Sequence, residues 1–150
     1  IVPSVQPTHA TSDMYWAADR LGPQRVKGAY AFHQLFEQNN WIPLGTDFPV
    51  EDISPFKTFF AAVVRKDAEG YPAGDYQMEN ALSREQTLRG MTIWAAKSNF
   101  EEHEKGSLEK GKFADFIVLD KDIMKIPENE ILSVKVLKTF VGGDLVYSKP

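Results

Sequence analysis

Short apolar runs alternate with segments of helical periodicity over the first two thirds of the chain. Two runs, 1–6 and 41–44, are strand-like, and the segment 27–38 between them carries its apolar residues at helical spacing. Strands that alternate with helices are typical of βα units in a parallel sheet or barrel. The pattern therefore predicts an α/β fold for residues 1–104.

Two serines mark the starts of later helices. Ser54 precedes a proline, which is favoured at the first helical position. Ser83 and Gln86 have the spacing of a capping box, and we expect the following helix to reach Ser98. One face of that helix carries four residues that we interpret as core packing rather than a binding surface. They are Leu88, Met91, Thr92 and Ala95.

The pattern becomes strand-rich in the last third of the chain. The apolar run 113–120 is too short for anything but a buried strand. Two further strands are predicted at 134–141 and 144–147, and the pair Gly142-Gly143 between them suits a two-residue hairpin turn. We therefore expect residues 105–150 to form a region distinct from the first one.

Composition narrows the class of protein but not its chemistry. The 150 residues are 43% hydrophobic, which is enough to build the core of about one domain. The net charge of −4 gives no basic surface for nucleic acid, and no apolar run reaches the ~18 residues that cross a bilayer. The chain has no cysteine, which excludes disulfides and thiolate ligands but leaves the compartment open. We expect a cytoplasmic protein with neither a nucleic-acid nor a membrane partner.

Two polar residues follow the two predicted strands of the first region. Asp47 comes directly after the second strand, which Phe48-Pro49 ends because proline donates no ladder hydrogen bond. Catalytic and metal-binding residues gather at the carboxyl ends of parallel strands. Aspartates also cap ordinary turns, so the segment alone leaves both interpretations of Asp47 open. The first strand delivers His9 to a loop, and a lone histidine is more often structural than a ligand.

Five separate stretches resemble, in order, segments of metal-dependent amidohydrolases of the branch that hydrolyses N-substituted amides and related C–N bonds. They are 4–9, 19–23, 45–50, 106–115 and 141–147. In that family a (β/α)8 TIM barrel holds the metal site, and a small β-sandwich is built from the segments before and after the barrel. The resemblance implies that residues 1–104 are the last βα units of such a barrel. Residues 105–150 would then be carboxyl-terminal strands of the sandwich domain.

The resemblance also implies roles for the two polar residues. The family's aspartate at the end of the last barrel strand contacts the metal, takes a proton from the activated water and passes it to the leaving nitrogen, which is the role implied for Asp47. We expect one or two divalent ions, with zinc as the metal. His9 would face the same mouth, where it could contact substrate or support the site, and we assign it to substrate binding. The family's His-x-His pair, its bridging residue and its next two histidines have no counterpart here, so most metal ligands are expected outside this chain.

The first strand starts without a methionine or a cap, which suggests that the chain is a piece of a longer enzyme. The expected partners are therefore an amide-like small molecule and the missing amino-terminal part. We expect the isolated chain to be inactive and to cover its strand edges by association with that part or with another copy of itself. The alternative is a catalytically inactive fragment or interaction module that retains only the packing of the fold.

Overall fold

The computed structural model describes all 150 residues, which include six α-helices, three short 3-10 helices and a three-stranded sheet near the carboxyl end. The α-helices are α1 (Thr8–Asp13), α2 (Ala17–Arg25), α3 (Phe32–Asn39), α4 (Pro55–Val64), α5 (Arg84–Met91) and α6 (Ile93–Ser98). The strands are β1 (Phe116–Leu119), β2 (Val136–Val141) and β3 (Asp144–Ser148). The longest helix, α4, has 10 residues, and no helix is long and apolar enough to cross a membrane.

The two strands predicted in the first region pair in parallel, but only over a short distance. A single bridge joins Val5 to Leu44. Its backbone hydrogen bonds run from the Val5 N–H to the Pro43 carbonyl, 3.1 Å, and from the Gly45 N–H to the Val5 carbonyl, 3.0 Å. Prolines near both strands remove ladder donors, so the full strands 1–6 and 41–44 do not form. The parallel direction agrees with a barrel, whereas this chain forms no barrel by itself.

Both predicted helix starts are confirmed. The Ser54 hydroxyl accepts a hydrogen bond from the Lys57 N–H at the start of α4. At the start of α5, the Gln86 N–H donates to Ser83 Oγ, 3.1 Å, and the Ser83 N–H donates to Gln86 Oε1, 2.8 Å. These reciprocal bonds satisfy two of the backbone donors that a helix leaves unpaired at its amino end.

Two helices are shorter than the sequence predicts. The helix expected over 27–38 begins only at Phe32, because Tyr30 before it has a left-handed backbone with φ of 55°. The helix expected to run unbroken to Ser98 is interrupted at Thr92, whose φ and ψ are −125° and −95°. The Thr92 hydroxyl donates to the Leu88 carbonyl, 2.7 Å, a contact that competes with regular helical bonding.

Helix α4 lies at the centre of the molecule. Every residue from Thr58 to Val64 is buried, as expected for the continuous apolar run Phe59–Val64. One cluster of buried side chains joins α4 to the final third of the chain and contains Phe59, Phe60, Val63, Val64, Ile123, Ile131 and Val134. A second cluster joins α4 to the strands of the bridge and contains Ala10, Phe32, Ile42, Leu44, Ala62 and Leu82. The proposed boundary between 1–104 and 105–150 is thus crossed by a shared core.

The three strands form an antiparallel sheet in the order β1-β2-β3. The predicted hairpin turn is confirmed, since Gly142 and Gly143 both have positive φ, 59° and 90°. The Gly142 N–H donates to the Asp115 carboxylate, 2.7 Å, and the Gly143 N–H donates to the Ala114 carbonyl, 3.1 Å. The segment before β1 therefore fixes the turn between β2 and β3.

The helix face predicted as core packing also lines an open groove. Leu88 is 40% exposed, and all four residues of that face border a cleft of about 1110 Å³ between α5, α6 and the sheet. The opposite wall of the cleft carries apolar residues of the sheet, among them Phe116, Ile117 and Phe140. The prediction of core packing therefore holds for Met91, which packs against both buried clusters described above, whereas Leu88 and Thr92 are exposed to the groove.

Candidate active site

The short parallel bridge brings the two candidate residues together. Pro7 is buried directly after the Val5 strand, and α1 begins at the next residue, so that His9 lies in its first turn. Asp47 lies three residues after Leu44, at the carboxyl end of the neighbouring strand. The ends of two adjacent parallel strands thus present both side chains at one edge, although His9, expected in a loop, lies in a helix.

A hydrogen bond joins the two side chains. His9 Nε2 and Asp47 Oδ2 are 2.9 Å apart, and the side chains are 32% and 41% exposed. Because a carboxylate only accepts, Nε2 carries the proton of this bond. The second carboxylate oxygen, Asp47 Oδ1, has no hydrogen-bond partner in the protein. One oxygen of Asp47 is therefore held, and the other is free to accept from a ligand or a water molecule.

The backbone at Asp47 has an uncommon conformation that aims the carboxylate. Its φ is 60°, in the left-handed region that aspartate enters more readily than most residues. The Asp47 carbonyl accepts from the Val50 N–H, 2.8 Å, and from the Glu51 N–H, 3.2 Å, which closes a helical turn after the strand. The Phe48 N–H donates to Thr46 Oγ1, 3.3 Å. Non-glycine residues with this backbone are often found at functional sites.

Helix α1, which carries His9, is fixed to the rest of the protein at its far end. The Tyr30 hydroxyl donates to the Asp13 carboxylate, 2.5 Å, and burial together with this bond raises the pKa of Tyr30. The Tyr15 hydroxyl donates to Asp67, which raises the pKa of Tyr15 to about 12. The ring of Tyr15 also stacks on Tyr71 with 5.0 Å between centroids.

Arg65 is a structural residue that the sequence analysis did not identify. It ends α4 in a left-handed conformation and has no exposed surface. Its guanidinium donates to the carbonyls of Tyr30 and Tyr76, 3.2 and 3.3 Å, and to Gln77 Oε1, 2.8 Å. Burial without a carboxylate partner lowers the pKa of Arg65 to about 10. An arginine directly after the apolar run Phe59–Val64 was the available signal.

These residues do not complete a metal site. Zinc in proteins takes three or four protein ligands. No group of three or more histidine, cysteine, aspartate or glutamate side chains in the 150 residues is arranged to hold a metal ion. Asp47 and His9 are donors of the right kind for a divalent metal, but they are two in number, and they are hydrogen-bonded to each other.

The candidate pair lies at an open edge rather than inside a pocket. A cleft of about 370 Å³ borders His9 and extends along α3, and a second of about 380 Å³ lies between α1 and α4. None of the three main clefts is lined by Asp47. Asp47 therefore lies outside these clefts, with its side chain 41% exposed.

Comparison with known proteins identifies the family. The model of an amidohydrolase family matches residues 1–147, nearly the whole chain. The chain belongs to the amidohydrolase family. This confirms the resemblance found in the sequence, including its assignment to the carboxyl-terminal part of the family's chain.

Individual proteins match over most of this chain but only over a part of their own length. Protein LONG AFTER FAR-RED 3 of Arabidopsis thaliana is 37% identical over 98% of this chain and 25% of its own. N-substituted formamide deformylase of Arthrobacter pascens is 32% identical over 72% of this chain and 19% of its own. The crystal structure of an uncharacterized metal-dependent hydrolase from Pyrococcus horikoshii superimposes with a TM-score of 0.73 and 31% identity, over 85% of this chain and 26% of that one. The chain thus spans about a quarter of these relatives.

Proposed function

We propose that these 150 residues are the carboxyl-terminal part of a metal-dependent amidohydrolase that hydrolyses an amide-like C–N bond. The observation that carries the proposal is the pair His9–Asp47, which meets at 2.9 Å at the ends of two adjacent parallel strands. Family membership and the metal-dependent structural relative support the reaction class. In this proposal, residues 1–104 complete a (β/α)8 TIM barrel and residues 105–150 complete a β-sandwich domain.

Asp47 is proposed as the proton-transfer residue and as one metal ligand. Oδ2 is held by His9, whereas Oδ1 is unpartnered and can take a proton from the attacking water and give it to the leaving nitrogen. The divalent metal, expected to be zinc, would lower the pKa of that water, so that a carboxylate is a strong enough base. The chain itself supplies one or two donors, and the proposal places the other ligands in the amino-terminal part.

His9 is proposed to orient the Asp47 carboxylate. The bond from Nε2 fixes which oxygen is held, and the half-exposed imidazole remains near the free oxygen. The role proposed from the sequence, direct contact of His9 with the substrate, is compatible with the same position of the imidazole. The two roles differ in their kinetic consequences, because an orienting residue affects turnover and a binding residue affects KM.

The amino-terminal part of the full-length protein is proposed to cover the apolar surface that this chain exposes. Only 26 of 150 residues are buried, which is few for a chain of this length with 43% hydrophobic residues. Large apolar side chains are exposed on the sheet, and the groove beside α5 and α6 is empty of protein. Contiguous exposed apolar surface of this kind marks an interface.

The substrate class is proposed from the chemistry of one relative. The Arthrobacter protein is named as a deformylase of N-substituted formamides, in which the broken bond joins a carbonyl carbon to nitrogen. The second candidate function is that of an inactive interaction module. It is favoured for the isolated chain, because no group of three or more potential metal ligands is present. Only the full-length protein distinguishes the two functions.

The test is Asp47→Asn in the full-length protein. Loss of a positioned proton-transfer group is expected to lower kcat by ~10² or more while the protein remains folded. The matched control is Asp52→Asn in the same loop, whose carboxylate pairs with Lys57 at 2.7 Å rather than with His9. The control is expected to keep parental turnover. A turnover of Asp47→Asn within a few-fold of the parent would refute the assignment.

A further inference from the structure

A second side-chain hydrogen bond runs beside the His9–Asp47 pair. The Ser12 hydroxyl donates to Glu51 Oε1 at 2.6 Å. Ser12 lies three residues after His9 on α1, and Glu51 lies four residues after Asp47 in the helical turn closed by the Asp47 carbonyl. Residues with these spacings share one side of a helical turn. The same side of α1 therefore contacts the same side of the Asp47 turn at two points.

The two sides of this contact are fixed to different extents. Helix α1 is held independently, because Ala10 and Thr11 are buried and Asp13 is bonded to Tyr30. The Asp47 turn is largely exposed, and the large side chains of Phe48 and Val50 point into solvent. Apart from the His9–Asp47 bond itself, the Ser12–Glu51 bond is the side-chain hydrogen bond that ties this turn to α1.

We propose that Glu51, held by Ser12, is a positioning residue for the reaction. The inference rests on the function proposed above for Asp47. The Ser12–Glu51 bond fixes the turn that begins at Asp47. This turn holds Asp47 in the left-handed backbone conformation that directs its carboxylate toward His9. Glu51 itself does not contact the reacting atoms, so its effect passes entirely through Asp47.

The test compares variants that remove the bond with variants that retain it, all in the full-length enzyme. Ser12→Ala removes the donor and Glu51→Ala removes the acceptor, and each is expected to lower kcat about tenfold with KM nearly unchanged. Glu51→Gln and Ser12→Thr keep an acceptor oxygen and a hydroxyl donor, respectively, and are expected to retain most of the turnover. Glu69→Ala is the control, because Glu69 borders the same cleft between α1 and α4 as Ser12 and Glu51, and its exposed carboxylate makes no hydrogen bond.

Two combinations show whether the effect passes through Asp47. The double variant Ser12→Ala/Glu51→Ala is expected to match either single variant, because both remove the same bond. Glu51→Ala is expected to have no further effect on the residual turnover of Asp47→Asn. Additive losses, a change confined to KM, or equal losses in Glu51→Gln and Glu51→Ala would each overturn the positioning role.

The outcomes separate this inference from the proposed function. If Asp47→Asn retains turnover, the proposed function fails whatever the Glu51 variants do. If Asp47→Asn is inactive and both Ser12→Ala and Glu51→Ala behave like Glu69→Ala, the proposed function stands and the positioning role is refuted.

Discussion

Four hydrogen bonds, one from α1 and three within the Asp47 turn, determine the position of the Asp47 carboxylate. His9 on α1 holds Oδ2, the N–H groups of Val50 and Glu51 bond to the Asp47 carbonyl, and Thr46 accepts from the next backbone N–H. The bond between His9 and Asp47 is weak by itself, because the Asp47 side chain is more than a third exposed to solvent. Together the four bonds restrict one carboxylate oxygen and leave the other available.

The variant His9→Ala distinguishes the two roles considered for the histidine, orientation of the Asp47 carboxylate and binding of the substrate. Loss of the bond to Asp47 frees the carboxylate to rotate, so we expect kcat of the full-length enzyme to fall by ~10-fold or more while metal content is unchanged. His33→Ala is the control, since His33 pairs with Glu37 on α3. Steady-state kinetics with metal analysis is the measurement. A raised KM at parental kcat would assign His9 to substrate binding, and loss of metal would assign it as a ligand.

The sequence predicted where both residues lie but not the bond between them. Apolar runs and prolines located the two strand ends, and the resemblance to the family implied that His9 and Asp47 face the same mouth. The direction of a side chain after the strand depends on the backbone of the turn, here a φ of 60° at Asp47, which no local pattern announces. Contacts such as Ser12–Glu51 join segments 39 residues apart, and spacing within one segment does not predict them.

Among the elements, those with local causes were predicted best. The caps at Ser54 and Ser83 and the Gly142-Gly143 turn depend on neighbouring residues, and all three are confirmed. The barrel strands were overestimated, because a strand extends only where another strand pairs with it. The break between α5 and α6 at Thr92 was not predicted, because the apolar pattern there is typical of an unbroken helix. The Thr92 side chain bonds back to the Leu88 carbonyl within that pattern.

Gly90 on α5 tests how closely that helix must approach the active-site strand. The Leu44 N–H donates to the Gly90 carbonyl, 3.0 Å, and a Cβ at Gly90 would lie 2.5 Å from Leu44 Cγ. Gly90→Ala is therefore expected to lower the free energy of unfolding by ~1 to 3 kcal/mol, because the strand must shift to accommodate the methyl group.

The measurement is the midpoint of thermal unfolding of the full-length protein. Gly74→Ala is the matched control, because nothing lies within 4 Å of a Cβ at that position. The packing account would be wrong if Gly90→Ala and Gly74→Ala unfolded at the same temperature. A lower turnover of Gly90→Ala would further show that the position of the Leu44 strand affects Asp47.

The molecule as a whole has a buried apolar core, but part of its apolar surface is left uncovered. Helix α4 is buried from Thr58 to Val64 and joins both regions of the chain, while the sheet and the groove beside α5 and α6 remain open. The sequence indicated the family and the carboxyl-terminal position, because short motifs survive in order. It could not show which surfaces the rest of the protein covers, since apolar residues have the same pattern whether their partners lie inside or outside the chain.

Zinc binding measured by calorimetry tests most directly whether this chain carries only part of a metal site. The isolated 150 residues offer two donors, so we expect weak binding without a defined stoichiometry, and no hydrolysis of an amide. Addition of the amino-terminal part is expected to produce stoichiometric binding and activity together. Sub-micromolar, one-to-one binding by the isolated chain, abolished by Asp47→Ala, would contradict the account, because these residues would then build a complete site by themselves.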